Sequence, residues 1–131
     1  MLMLASCATD TATDRPVTLH LTNTGTELLQ CRLMFGHWVD RDLGRLAHGE
    51  GVDIAVTQQT RDGALFVLRD DGARRMMIET INCGRGGDWM GTFGQVDLAP
   101  ARAARPRAID ANCAAPIGPG RVVCPQIIFA P

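Results

Sequence analysis

The sequence predicts an all-β fold, a small antiparallel sandwich or barrel of about six to seven strands stapled by disulfides. Short runs alternate apolar and polar residues, and Gly, Asn and Asp separate those runs at roughly 8–12 residue intervals. No stretch sustains the helical period near 3.6. Five Cys in 131 residues supply the staples.

Val17-Thr18-Leu19-His20-Leu21-Thr22 alternates strictly, so Val17, Leu19 and Leu21 share one face of a first strand. Asn23-Thr24-Gly25 supplies turn chemistry. Leu29, Cys31, Leu33 and Phe35 share a face of a second strand, which Gly36-His37-Trp38-Val39 is expected to extend past a bulge at Gly36. Asp40 to Gly51 is polar and broken by Gly, with a helical turn expected around Leu43-Gly44-Arg45-Leu46. Val52, Ile54 and Val56 mark a third strand, Arg61-Asp62-Gly63 a hairpin turn, and Ala64 to Arg69 a fourth strand. Asp70-Asp71-Gly72 reads as a second turn, Arg74 to Cys83 as a fifth strand, Gly84 to Asp88 as a loop, and Thr92 to Leu98 as a sixth strand. From Ala99 to Arg107 the chain is Ala, Pro and Arg without alternation, which reads as a linker. The expected organisation is a leader and polar tether over 1–16, a β domain over 17–98, and a linker with a disulfide-closed tail over 99–131.

Composition restricts the chemistry. Residues 1–98 carry nine Arg against thirteen acidic residues, and residues 99–131 carry four Arg against one. Neither balance approaches the basic stripe that nucleic acid requires. The chain has no Lys and no Tyr, and its only Ser is Ser6. A Schiff-base Lys, a Tyr acid and a Ser–His–Asp triad in the folded domain are therefore excluded, leaving Cys, Thr, His and carboxylates.

Leu4-Ala5-Ser6-Cys7 resembles the bacterial lipobox: an apolar residue, two small residues, and the Cys that receives diacylglycerol. The resemblance covers four positions and the apolar residues before them. It implies a lipid on Cys7, a tether through the Thr-rich run Ala8–Asp14, and a site in the bacterial envelope facing the periplasm. Ala8, rather than Asp, after the Cys points to the outer membrane under the enteric sorting rule. Six residues cannot hold both a basic n-region and an apolar h-region of roughly 7–15 residues, so the resemblance also implies a leader beginning upstream of Met1.

Assigning Cys7 to lipid leaves Cys31, Cys83, Cys113 and Cys124, an even set suited to an oxidising compartment. Three pairings are possible. Cys31–Cys83 within the domain and Cys113–Cys124 within the tail are expected, the second closing the Pro- and Gly-rich loop from Ala114 to Gly120. Cys31–Cys83 resembles the inter-sheet bridge of immunoglobulin-like sandwiches, with Trp38 following as a core Trp would. That resemblance is architectural only, because the Cys-to-Trp interval is short and there is no Tyr for a tyrosine corner.

His37, Trp38, Arg85, Asp88 and Trp89 form the candidate binding surface, since Trp and Arg dominate binding hot spots. The competing reading packs Trp38 over the disulfide and uses Trp89 to close the apolar end of its loop. Glu79 allows two readings. Unbroken alternation puts it inside with Met77, Ile81 and Cys83, needing Arg32, Arg69 or His37 as a partner, whereas a bulge exposes it. His37, His48, Met34, Met76, Met77 and Met90 are soft or borderline ligands suited to copper. No blue-copper or zinc spacing accompanies them, so no metal centre is expected and the Met residues read as gap fillers. Gly84-Arg85-Gly86-Gly87 lacks the spacing of a phosphate loop. Arg102, Arg105 and Arg107 would give only weak, salt-sensitive attraction to anionic headgroups. The expectation is a non-enzymatic envelope module without catalytic residues or cofactor, binding a protein or cell-wall partner. The alternative is a periplasmic copper-handling domain using His and Met ligands.

Overall fold

In the computed structural model, which describes residues 14–36, 39–68 and 75–130, the chain is mostly strand. The strands are β1 (Asp14–Asn23), β2 (Leu29–Phe35), β3 (Asp40–Leu46), β4 (Gly51–Gln59), β5 (Leu65–Leu68), β6 (Arg75–Arg85), β7 (Gly94–Val96), β8 (Ala108–Cys113) and β9 (Ile128–Ala130). Two short helical segments, α1 (Trp89–Thr92) and α2 (Ala99–Ala104), flank β7.

Among the described residues the nine strands form one continuous sheet that does not close. Its order is β3–β2–β6–β5–β4–β1–β8–β9, with β7 also on β6. The sheet is therefore open rather than a barrel, with nine strands instead of six to seven. All pairings are antiparallel except β1 with β8, which run parallel. Residues 75–77 of β6 pair with β5, and residues from Ile78 onward pair with β2, so one strand carries the ladder from one half of the sheet to the other. Inward residues of both halves, from Leu19, Leu21 and Ile54 to Leu29, Leu33 and Ile81, form a single buried cluster.

Two bulges set which side chains face that cluster. Met34 pairs with Thr80 and Phe35 with Ile78, so Glu79 is an extra residue. The inward phase passes from Ile78 to Ile81 and Cys83, and Glu79 is exposed, as the bulge reading required. In β3, Cys31 pairs with Gly44 and Arg32 with Asp42, leaving Leu43 extra. Gly44 sits at φ 91°, and Asp42 Oδ1 accepts its N–H at 2.8 Å. The expected helical turn over 43–46 is thus a bulged edge strand. Gly44 supplies a conformation that breaks the helix, while Leu46 points into the core.

Beyond Phe35 the chain turns instead of extending: the Phe35 N–H donates to Val39 O at 2.9 Å and β3 runs back along β2. The turn expected at Asp70–Gly72 lies outside the described residues. β3 and β4 are consecutive but do not pair. They border a cleft of about 490 Å³ lined by Leu33, Leu43, Val52 and Ile54 among others.

The linker and tail expected over 99–131 require the largest correction. Residues 99–104 are helical, and β8 occupies an interior position beside β1, covered in turn by β9. Ile109, Ala111 and Cys113 alternate inward, and Val122 and Ile127 join the core. The expected sixth strand shrinks to three residues because α1 takes up its beginning.

Both expected disulfides are present, Cys31–Cys83 and Cys113–Cys124. The first differs from the immunoglobulin arrangement. Cys31 and Cys83 are register partners on adjacent strands, so the bridge staples one sheet instead of joining two.

Candidate functional site

β2, β6 and β7 turn Arg32, Met34, Thr80, Asn82 and Gln95 towards an open groove of about 540 Å³. Phe35, Asp40, Glu79 and the α1 residues Trp89 and Met90, with Phe93 just after them, complete its lining. Local sequence explains how α1 comes to lie there. Asp88 caps the turn by accepting from Gly91 N–H at 3.1 Å, and Thr92 Oγ1 accepts from Arg85 N–H at 2.9 Å while donating to Asp88 O. Gly84 permits the close approach: a Cβ there would lie 2.8 Å from Trp89 O and 2.9 Å from Trp89 Cα.

Trp89 is the centre of a stack. Arg32 Cζ lies 4.6 Å from its ring centroid, and the Phe93 ring stacks on it at 5.0 Å and 15°. Arg121 Cζ sits 5.4 Å from the Phe93 centroid and its Nη1 donates to Phe93 O at 3.0 Å. Each cation–ring contact is worth about 0.5–2 kcal/mol. The Trp89 ring is thus engaged by the protein's own groups. Trp89 Nε1 and Arg32 Nε are buried N–H donors without a hydrogen-bond partner among the described residues. Each costs roughly 1–3 kcal/mol unpaired. Arg32 Nη1 meets Asp40 Oδ2 at 3.4 Å, placing one cation and two carboxylates, Asp40 and Glu79, around an otherwise apolar and amide-rich lining.

The structure divides the sequence candidates. Trp89 lines the groove, while Asp88 serves as the α1 cap. Arg85 points away: its Nη2 donates to Pro116 O at 3.0 Å and to Gly118 O, and its Nη1 pairs with Glu27, so it clamps the tail loop. His37, Trp38 and the lipid-bearing candidate Cys7 lie outside the described residues. Sequence reasoning missed Phe93, Gln95 and Arg121. The signal for Phe93 was its position four residues after Trp89, the spacing one helical turn brings together. Met34 and Met90 share the groove lining, whereas Met77 and Met90 are exposed rather than filling core gaps.

A second polar cluster lies on the outer face of β1. His20 stands opposite Asp53 on β4 and Asp110 on β8, with Nδ1 hydrogen-bonded to Asp53. That hydrogen bond raises the His20 pKa above its usual 6.5; desolvation opposes it, and the charges of Asp53 and Asp110 add lesser upward contributions. Among the described residues no three His, Cys, Asp or Glu side chains converge as metal ligands, and no helix is long and apolar enough to cross a membrane. No protein-family model matches this chain, and neither a curated protein nor a solved structure shows significant similarity to it.

Proposed function

We propose that this chain is the folded module of an envelope lipoprotein, anchored by a lipid on Cys7, and that it binds a macromolecular partner non-enzymatically through the groove over β2, β6 and β7. The groove carries the reading. It combines an exposed thioether at Met90, the aromatic side chains of Trp89 and Phe93, and amide side chains from Asn82 and Gln95. Two of its charged groups are engaged within the chain, Arg32 with Asp40 and with the Trp89 ring. The partner is an envelope protein or cell-wall component reached from the periplasmic face, with the outer membrane as the anchoring surface.

Two experiments test the two halves of this reading. Expressed behind a complete leader, the protein should incorporate labelled palmitate and sediment with membranes, and Cys7→Ala should leave it unlabelled and soluble. Equal labelling of both forms would end the lipid assignment. A photo-activatable residue at position 90 should yield a discrete adduct in cells, and Arg32→Ala should weaken it. An adduct unaffected by Arg32→Ala would remove the groove from the interface.

The shared placement of Met34 and Met90 favours a second reading, a soft-metal site for Cu(I) with thioether ligands. Competitive Cu(I) titration of the reduced-metal form should give one equivalent lost in Met34→Leu and Met90→Leu. Titration indistinguishable from the double variant would exclude it.

A further inference from the structure

Asn82 is the one polar side chain of the groove lining that is buried, at 4% exposure, and half of its amide is unused. Its Oδ1 accepts from Thr80 Oγ1 at 2.8 Å. Its Nδ2 has no hydrogen-bond partner among the described residues, and it opens onto the groove rather than being sealed in the core. A buried N–H donor is costly to leave unanswered, so this position calls for an acceptor brought into the groove.

Its neighbours are fixed by the sheet. Asn82 pairs with Gln95 on β7 and with Arg32 on β2, so Gln95, Asn82 and Arg32 form a row across three strands. Strands lie about 4.8 Å apart, close to the length of one pyranose unit. Met34 stands in the next row, opposite Thr80, and its half-buried thioether lines the groove. Beside these rows the bulge in β6 presents Glu79, whose carboxylate makes no hydrogen bond among the described residues. Arg102 of α2 holds the bulge by donating to Ile78 O and Glu79 O, at 3.2 Å each. The polar groups are therefore set in place before a ligand arrives.

Charge and the density of polar groups select the ligand. Arg32 is committed to Asp40, so an anion would meet the Glu79 carboxylate, and a simple cation would leave the Asn82 donor unanswered. An uncharged ligand that both donates and accepts fits. An extended peptide turns the N–H and C=O of only every second residue to one side. A sugar carries hydroxyls around its whole ring, and each one donates and accepts. Five side chains, Arg32, Asp40, Glu79, Asn82 and Gln95, surround about 540 Å³, more than a short peptide backbone can answer. We infer that the groove binds an uncharged glycan bearing acetamido groups. The acetamido carbonyl accepts from Asn82 Nδ2, its N–H donates to Glu79 and its methyl rests on Met34, while ring hydroxyls reach Gln95 and Asp40. The inference rests on the groove reading and names its ligand.

The test titrates the full chain with N,N′-diacetylchitobiose and follows the side-chain amide signals of Asn82 and Gln95 by heteronuclear NMR. Saturable shifts of both are expected. Cellobiose, with hydroxyls in place of the acetamido groups, should bind about tenfold more weakly. Asn82→Asp, which removes the donor, and Glu79→Ala, which removes the acceptor, should each weaken binding by about tenfold. Glu79 is exposed, so Glu79→Ala keeps the fold and carries the test if Asn82→Asp unfolds. Equal affinity for the two sugars, or binding undiminished by Glu79→Ala, overturns the inference. Silent titrations beside a protein adduct from position 90 overturn it and leave the groove reading standing. Silent titrations without any adduct overturn both.

Discussion

Gln58, fully buried in β4, donates a 2.9 Å hydrogen bond to the carbonyl oxygen of Ala101 in α2. The same amide donates to Gly63 O at 3.1 Å and its oxygen accepts from Arg15 at 3.0 Å. One side chain thereby ties β1, the β4–β5 hairpin and the segment after residue 98 into a single buried network.

This network predicts that residues 99–131 are required for folding. Gln58→Leu removes the donor from the buried Gly63 carbonyl and one of two donors from the Ala101 carbonyl, and should cost roughly 1–3 kcal/mol. Truncation after Ala99 removes Ile109, Val122 and Ile127 from the core as well, each worth about 1.5–3 kcal/mol. Against a total stability of about 5–15 kcal/mol, the truncated chain should lose its cooperative thermal transition. A fragment 17–98 that melts sharply by circular dichroism would refute this.

Gly84 sets the position of the groove wall. Gly84→Ala brings a methyl group against the backbone of Trp89, so α1 must lift from β6. Near-ultraviolet circular dichroism should lose intensity from the Trp89–Phe93 stack, with a stability loss of roughly 1–3 kcal/mol. An unchanged spectrum would mean that α1 accommodates the methyl without moving.

The two disulfides should contribute unequally. By loop-closure entropy, the Cys31–Cys83 bridge, spanning 52 residues, is worth about 4 kcal/mol, and the Cys113–Cys124 bridge, spanning 11, about 3 kcal/mol. Paired Cys→Ala variants compared by urea unfolding should follow that order. A larger loss for the tail pair would show that the loop supports more of the core than its length implies.

His20 should titrate above pH 6.5. Its folded pKa exceeds the unfolded value, so its contribution to stability is complete below about pH 6.5 and is lost as pH rises through the raised folded value. Asp53→Asn should lower the midpoint in an NMR titration, because the hydrogen bond to Asp53 is the largest cause of the elevation. A midpoint insensitive to Asp53→Asn would contradict the assigned cause.

The strand faces were legible in the sequence where apolar density was high. Val17, Leu19 and Leu21, and likewise Leu29, Cys31, Leu33 and Phe35, point inward as their alternation predicts. β8 escaped because Ala108-Ile109-Asp110-Ala111-Asn112-Cys113 offers small inward residues that alternate weakly in hydropathy. Asp40–Leu46 escaped because an edge strand with one bulge exposes most of its polar residues and breaks the period of two. Of the candidate site, Trp89 was legible as an aromatic beside a Gly-bearing loop. Arg85 was misplaced because its role depends on carbonyls 31 and 33 residues away.

By itself the sequence determined the β class, the inward faces of the strong strands and a number of Cys sufficient for two bridges. Each of these follows from local periodicity or from counting, which need no knowledge of neighbours. Only the tertiary structure decided that β8 lies parallel beside β1, that Cys31–Cys83 joins adjacent strands of one sheet, and that Trp89, Phe93, Arg32 and Arg121 stack in one wall. These depend on which distant segments pair and in what register. That choice is made by the joint burial of Ile109, Val122 and Ile127 against strands far away in the chain, and no local pattern encodes it.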